Sequence, residues 1–230
     1  MDSLAERLGS IRERIAAACV RGGRDPAEVR LLAVSKTFPA AAVREAWQAG
    51  QRDFGESRQQ EAAPKVAELP EDIRWHFIGK LQRNKVRKVL GDFGVIHSVD
   101  SLRLAEHVDR ISGELGRCPK VYLEVNLAAE ESKGGFTAEG LLDSLPKVAG
   151  LAHLDLEGLM AIPPDEGDAE AARRWFVGLR ELRDRLESET GVPLPGLSMG
   201  MSGDFEVAAE EGSTIVRVGS AIFGTRDDST

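Results

Sequence analysis

The sequence predicts an α/β chain folded as a single (β/α)8 barrel, and three observations carry that prediction. Eight short aliphatic or β-branched runs are bounded by turn residues. Each is followed by a stretch with helical spacing. Most of the runs are apolar nearly throughout, as parallel strands covered on both faces should be. A doubly wound open sheet, built from the same alternating units, is the competing architecture.

The elements follow in order. "MDSLAERLGSIRERIAAACVRGG" reads as an amphipathic helix with Leu4, Leu8, Ile11 and Ile15 on one face, so residues 1–28 form an N-terminal helical extension. The candidate strands are "VRLLAVSK", "RDFGES", "RWHFIG", "GVIHSVD", "KVYLEVNL", "DLEGLMAI", "LPGLSMGMS" and "TIVRVGSAIFG". Between the sixth and seventh, Trp175, Leu179, Leu182 and Leu186 recur at helical spacing as a core stripe, and Gly191 with Pro193 stops that helix. "IPPDEGDAE" is a loop, and residues 226–230 are a polar tail. No linker divides the chain, so residues 1–230 are expected to form one domain.

Composition narrows the function. A net charge of −8 over 230 residues argues against a nucleic-acid partner, which would require concentrated Lys and Arg. The one basic run, Arg83, Lys85, Arg87 and Lys88, reads as a solvated helix face. No apolar run approaches a membrane span, and the N-terminus lacks a secretory pattern, so no membrane association and a cytoplasmic location are expected. Cys19 and Cys118 lack metal-ligand spacing and read as reduced, buried thiols.

Barrel active sites collect at the C-terminal ends of the strands. There the sequence places Lys36, Glu56 with Ser57, Gly79, Asn126, Ser202, and Gly219 with Ser220. Lys36 directly follows a core strand, where a lysine needs either a counter-ion or a chemical use. Glu56 is the candidate counter-ion. The chemical use is a Schiff base, because a partly desolvated amine is more often neutral and free to attack a carbonyl. "GLSMGMSGDFEVAAEEG" and "VRVGSAIFG" put glycines and hydroxyls at the ends of the seventh and eighth strands, where barrels commonly bind phosphate with backbone N–H groups. Ser202 as a helix N-cap and Asp204 as a first-turn acid are the plain alternatives.

Lysine and cradle together call for a phosphate ligand with a carbonyl, either a sugar phosphate or pyridoxal 5′-phosphate (PLP). Arg217, two residues before Gly219 on the same strand face, favours PLP. A guanidinium facing the pyridine nitrogen would keep that ring unprotonated. An ion pair inside the barrel is the alternative for Arg217.

The ordered motifs "LLAVSKTFPA", "FGES", "WHFIGKLQRNK", "SVDS", "EVN", "SKGGF", "LEGLMAI" and "SMGMSGDFEVAAEEGSTIVRVGSAIFG" resemble the pyridoxal phosphate homeostasis proteins, the YggS/PROSC family, from about Leu4 to Arg226. The resemblance implies an alanine racemase-like barrel with PLP bound as a Schiff base at Lys36. It further implies phosphate contacts at Ser202, Gly219 and Ser220, an arginine facing the ring nitrogen at Arg217, and cofactor contacts at Met199 and Ser57. Ser57 stands where the family has asparagine, and Ser220 where it has threonine. Lys133 matches a position linked with cofactor transfer, and a solvated loop lysine is the plain alternative.

A PLP enzyme needs a second acid or base poised over the bound cofactor. Racemases of this fold take a tyrosine from an additional domain of a neighbouring subunit, for which this chain leaves no segment. Its only tyrosine, Tyr122, lies early in the fifth strand, toward the wrong end of the barrel, and His76 reads as packed or bonded to backbone. The resemblance therefore implies a monomeric protein that holds PLP reversibly and delivers it to apo-enzymes. A racemase-like PLP enzyme is the alternative, and a Schiff-base aldolase is a third reading.

Overall fold

The computed structural model describes residues 2–128, 130, 134–164 and 167–224. Eight parallel strands close into a barrel in sequence order. They are β1 (Arg30–Val34), β2 (Asp53–Glu56), β3 (Arg74–Phe77), β4 (Val95–Val99), β5 (Lys120–Glu124), β6 (Asp155–Met160), β7 (Gly196–Ser198) and β8 (Ile215–Val218). Closure is made by β1 against β8, with Leu32 opposite Arg217 and Ala33 opposite Val218. An open doubly wound sheet is thereby ruled out.

The helices are α1 (Leu4–Arg21), α2 (Ala40–Gln48), α3 (Gln59–Glu68), α4 (Val86–Asp92), α5 (Leu102–Leu115), α6 (Ala138–Ala149), α7 (Arg173–Thr190), α8 (Phe205–Glu210) and α9 (Ser220–Phe223). Helix α1 starts with a capping box in which Ser3 and Glu6 satisfy each other's backbone N–H groups. It buries Leu4, Leu8, Ile11 and Ile15, as the spacing predicts. None of the helices among the described residues is long and apolar enough to cross a membrane.

Three local expectations are corrected. The buried stripe of α7 begins at Phe176, not Trp175, and continues through Leu179, Leu182 and Leu186; Trp175 is half-buried under the Arg174 guanidinium. Cys19 is buried but Cys118 is exposed, in the turn that leads into β5. The eighth strand stops at Val218, and "SAIF" turns into the short helix α9.

Side chains alternate across each strand. One set packs into a continuous shell between barrel and helices. The other set meets on the barrel axis, where Leu32, Tyr122, Met160 and Ile215 form a small apolar cluster. The Tyr122 ring fits there because β7 opens with glycine: a Cβ on Gly196 would lie 2.7 Å from Tyr122 Cε1.

Candidate functional site

A cavity of about 380 Å³ opens at the C-terminal rim of the barrel, within the usual size of a small-molecule site. Lys36, Ser202, Arg217, Gly219 and Ser220 all line it, together with His97 and the apolar side chains of Val34, Phe38, Ile78 and Met160.

Lys36 arrives there by strand parity. Leu32 and Val34 face the axis, Ser35 faces the helices, and Lys36 points inward again just past the strand. The turn that follows is closed by the Phe38 N–H donating to the Ser35 carbonyl at 3.1 Å. Thr37 takes φ 71°, left-handed backbone that a β-branched residue rarely adopts. The Glu61 carboxylate of α3 accepts the Thr37 N–H and holds this turn.

Glu56 is not the counter-ion of Lys36. Gly55 faces the axis, so Glu56 faces the helices, where its Oε1 accepts from Lys65 Nζ and from Ser35 Oγ, each at 2.7 Å. Burial pushes the Glu56 carboxyl up, and the Lys65 and Ser35 hydrogen bonds oppose it. The cluster braces the lysine-bearing strand end from behind, with Lys65 Nζ also donating to the Ser35 carbonyl at 3.1 Å.

The opposite wall is a backbone cradle. Gly200 has φ 92°, and a Cβ there would come 2.5 Å from the Ala208 Cβ, so only glycine lets the chain turn tightly under α8. Asp204, not Ser202, occupies the N-cap position of α8, and its Oδ1 accepts the Met201 N–H at 2.6 Å. Ser202 Oγ instead accepts the Gly219 N–H at 3.2 Å, joining the two loops of the cradle. In α9 the Ile222 and Phe223 N–H groups both bond the Gly219 carbonyl, which leaves those of Ser220 and Ala221 without partners inside the helix. A Cβ on Gly219 would sit 3.2 Å from the Val34 carbonyl, so a side chain would fill the space where backbone meets the cavity. Donor hydroxyls, free helix-start N–H groups and a side-chain-free approach fit a phosphate.

Arg217 forms the floor. It is 5% exposed, and its Nη1 donates to the Ser198 carbonyl and Oγ, both at 2.7 Å, while Nη2 donates to the Ala161 carbonyl at 2.9 Å. It is therefore held by carbonyls and a hydroxyl, not by an ion pair within the barrel. Burial pushes its guanidinium down to about 10, against the nearby charges of Asp204 and Glu124, which leaves it cationic at neutral pH.

The sequence reading missed His97, whose ring reaches the cavity from β4 and stacks on Tyr122 with centroids 4.7 Å apart. His76 also departs from expectation: its ring turns into the barrel and bonds two side chains, Asp53 and His97, not backbone. Tyr122 lies below the cavity, and burial pushes its hydroxyl up to about 12.

Met199 and Ser57 do not line the cavity. Met199 faces the helical shell, its N–H donates to Ile215 O and its carbonyl accepts from Ser213 Oγ, so its polar groups are spent within the barrel wall. Ser57 directly follows the outward Glu56 and lies half-buried behind Gly79, where its carbonyl stands 2.1 Å from the place a Gly79 Cβ would take. Lys133 lies outside the described residues.

The alanine racemase N-terminal domain family model matches residues 7–227. A pyridoxal phosphate homeostasis protein of Pseudomonas aeruginosa is 47% identical over 229 residues, 99% of this chain and 97% of that one. Its namesake in Aquifex aeolicus is 45% identical over 222 residues, 96% and 97% of the two chains. PipY of Synechococcus elongatus, solved with PLP bound, matches with a TM-score of 0.86 at 45% identity and covers 96% of this chain and 100% of its own. With the barrel, the rim lysine and the matched length in agreement, the chain belongs to the pyridoxal phosphate homeostasis protein family, within the alanine racemase N-terminal domain fold.

Proposed function

We propose that this chain binds PLP at the C-terminal rim of its barrel and takes part in PLP homeostasis, holding the cofactor covalently but reversibly through Lys36 and yielding it to apo-enzymes. The observation that carries this reading is the convergence of Lys36, Arg217 and the Ser202–Gly219–Ser220 cradle on one cavity. When bound, PLP supplies an aldehyde carbon open to attack by a primary amine. Lys36 Nζ provides that amine, and one water is lost on linkage and regained on release. Ser202, Ser220 and the first N–H groups of α9 would bind the phosphate, and Arg217, which keeps two N–H groups beyond its three carbonyl and hydroxyl bonds, would direct one toward the ring nitrogen. Val34, Ile78 and Met160 would give the ring an apolar wall beside the lysine. A cavity lined by the residues of one barrel supports a monomer, and the chain is proposed to act in the cytoplasm.

Borohydride reduction followed by peptide mass measurement tests the proposal. A pyridoxyl adduct is expected on Lys36 and absent in Lys36→Ala; an adduct that persists elsewhere at full occupancy removes Lys36 from the mechanism. Exchange of amino-acid α-protons in deuterated water at enzymatic rates would favour the racemase-like alternative over a carrier.

A further inference from the structure

A continuous line of polar side chains runs inside the barrel from its N-terminal rim to the cavity. Asp53 Oδ1 lies 3.1 Å from His76 Nε2, and His76 Nδ1 lies 2.9 Å from His97 Nε2. His97 Nδ1 lies 2.8 Å from Ser198 Oγ, which lies 2.7 Å from Arg217 Nη1. All five residues are buried. At the far rim Arg74 grips both Asp53 oxygens, at 2.7 and 2.6 Å.

The proton positions along this line are fixed from both ends. Arg217 only donates, so Ser198 Oγ accepts from it. The Ser198 hydroxyl proton then has one acceptor among its contacts, His97 Nδ1. His97 must carry its proton on Nε2 and donate to His76 Nδ1, and His76 must carry its own on Nε2 and donate to Asp53. The reverse order would aim the His76 Nε2 lone pair at a carboxylate oxygen and strand a buried hydroxyl proton. The charges agree with this order. Burial holds both imidazoles toward the neutral form, His97 further still because His76, Arg217 and Arg30 face it. Burial would raise Asp53, but the hydrogen bonds of Arg74 and His76 prevail and hold it well below the usual carboxylate range.

We propose that His97 and Ser198 are positioning residues for Arg217, the cavity end of a one-way hydrogen-bonded column that holds the donor-only guanidinium in place under the cavity. This rests on the proposed PLP site. Held there, the guanidinium favours a heteroaromatic ring whose nitrogen keeps its lone pair over one that carries hydrogen or methyl, and the column sharpens that preference by fixing where the donors point.

Imidazole nitrogen NMR of the unliganded protein at pH 7 reads the column directly, whether or not PLP binds through Lys36. Both rings are expected as neutral Nε2–H tautomers. Ser198→Ala leaves the Asp53 end intact, so His97 should stay Nε2–H while its Nδ1 resonance shifts with the loss of the hydroxyl donor, and Ser198→Thr, which keeps the hydroxyl, should restore the wild-type shift. Titrations with PLP and its ring-N-methyl derivative, followed by near-visible absorbance, read the consequence. The wild type should prefer PLP by about tenfold or more, the worth of a hydrogen bond from a charged donor. Ser198→Ala should lose most of that preference, and Ser198→Thr should keep it. Either ring found as Nδ1–H or imidazolium in the wild type overturns the column. A preference unchanged in Ser198→Ala overturns its control of the floor.

Discussion

Phe38 stacks on Phe223, with ring centroids 5.0 Å apart and planes 29° from parallel. The first ring belongs to the turn that carries Lys36, the second to α9, which carries the backbone cradle. The pair therefore fixes the separation between the amine and the cradle. Arg7 of α1 reinforces it from outside, donating through Nε to the Ile222 carbonyl at 2.6 Å.

Phe38→Ala should cost about 1 kcal/mol of stability for the lost stack. PLP affinity should fall severalfold beyond that, because the lysine turn and α9 then move independently. Thermal melting and a PLP titration on the same sample check both. Affinity unchanged at reduced stability would show that the stack is structural only.

Behind the lysine, the Glu56–Lys65 pair is buried on both sides. Lys65→Met should destabilise by about 3–5 kcal/mol, because it leaves a carboxyl buried without its cation, and Lys65→Met with Glu56→Leu should recover most of the loss. The pH dependence has a definite sign. A carboxyl raised by burial binds its proton more tightly folded than unfolded, so its contribution falls as pH rises from the ordinary range through its folded value. Removing Lys65 extends that window upward. The Lys65→Met variant should melt higher at pH 5 than at pH 7.5, with a larger difference than the wild type shows.

The two axial histidines titrate in the other direction. Both are held neutral in the fold, so unfolding lets them take up protons below their ordinary value of about 6.5, and stability falls with acid from there. His97→Gln should flatten the slope of unfolding free energy against pH between 6.5 and 5 by up to about 1.4 kcal/mol per unit, one proton's worth. Urea unfolding across that range measures it. Glu56 is common to both proteins and cancels in the difference.

Much of this site was legible in the sequence because strand parity carries it. Once "VRLLAVSK" is a strand with Leu32 on the axis, Lys36 must face the cavity, and the same count from Ile215 brings Arg217 and Gly219 inward. Glu56 and Met199 face the shell for the same physical reason. Each is one residue out of phase with its inward neighbour, Gly55 or Ser198, and glycine or serine gives no apolar signal of which face is the inner one. His76 and His97 obey the parity too. Nothing local distinguishes an imidazole on the axis from one in the shell, since its partners come from β2 and β7, far away in sequence. Cys118 was misjudged because an apolar neighbourhood in sequence says little about a turn at the rim.

Thr37 is the one non-glycine residue with left-handed backbone among the described residues, and it directly follows Lys36. That conformation costs a β-branched residue on the order of 1–2 kcal/mol. It persists because its neighbours fix the turn: Glu61 accepts the Thr37 N–H, and the Phe38 N–H closes on Ser35. Asparagine tolerates this region better and keeps the backbone donor. Thr37→Asn should therefore raise stability by up to about 1 kcal/mol in urea unfolding, with Lys36 still reducible onto PLP. If the strain instead serves to aim the amine, the same variant gains stability but reacts with PLP more slowly, and stopped-flow absorbance separates the two cases. A variant no more stable than the wild type would mean that Thr37 Oγ1, which donates to the Lys36 carbonyl at 2.5 Å, already offsets the cost.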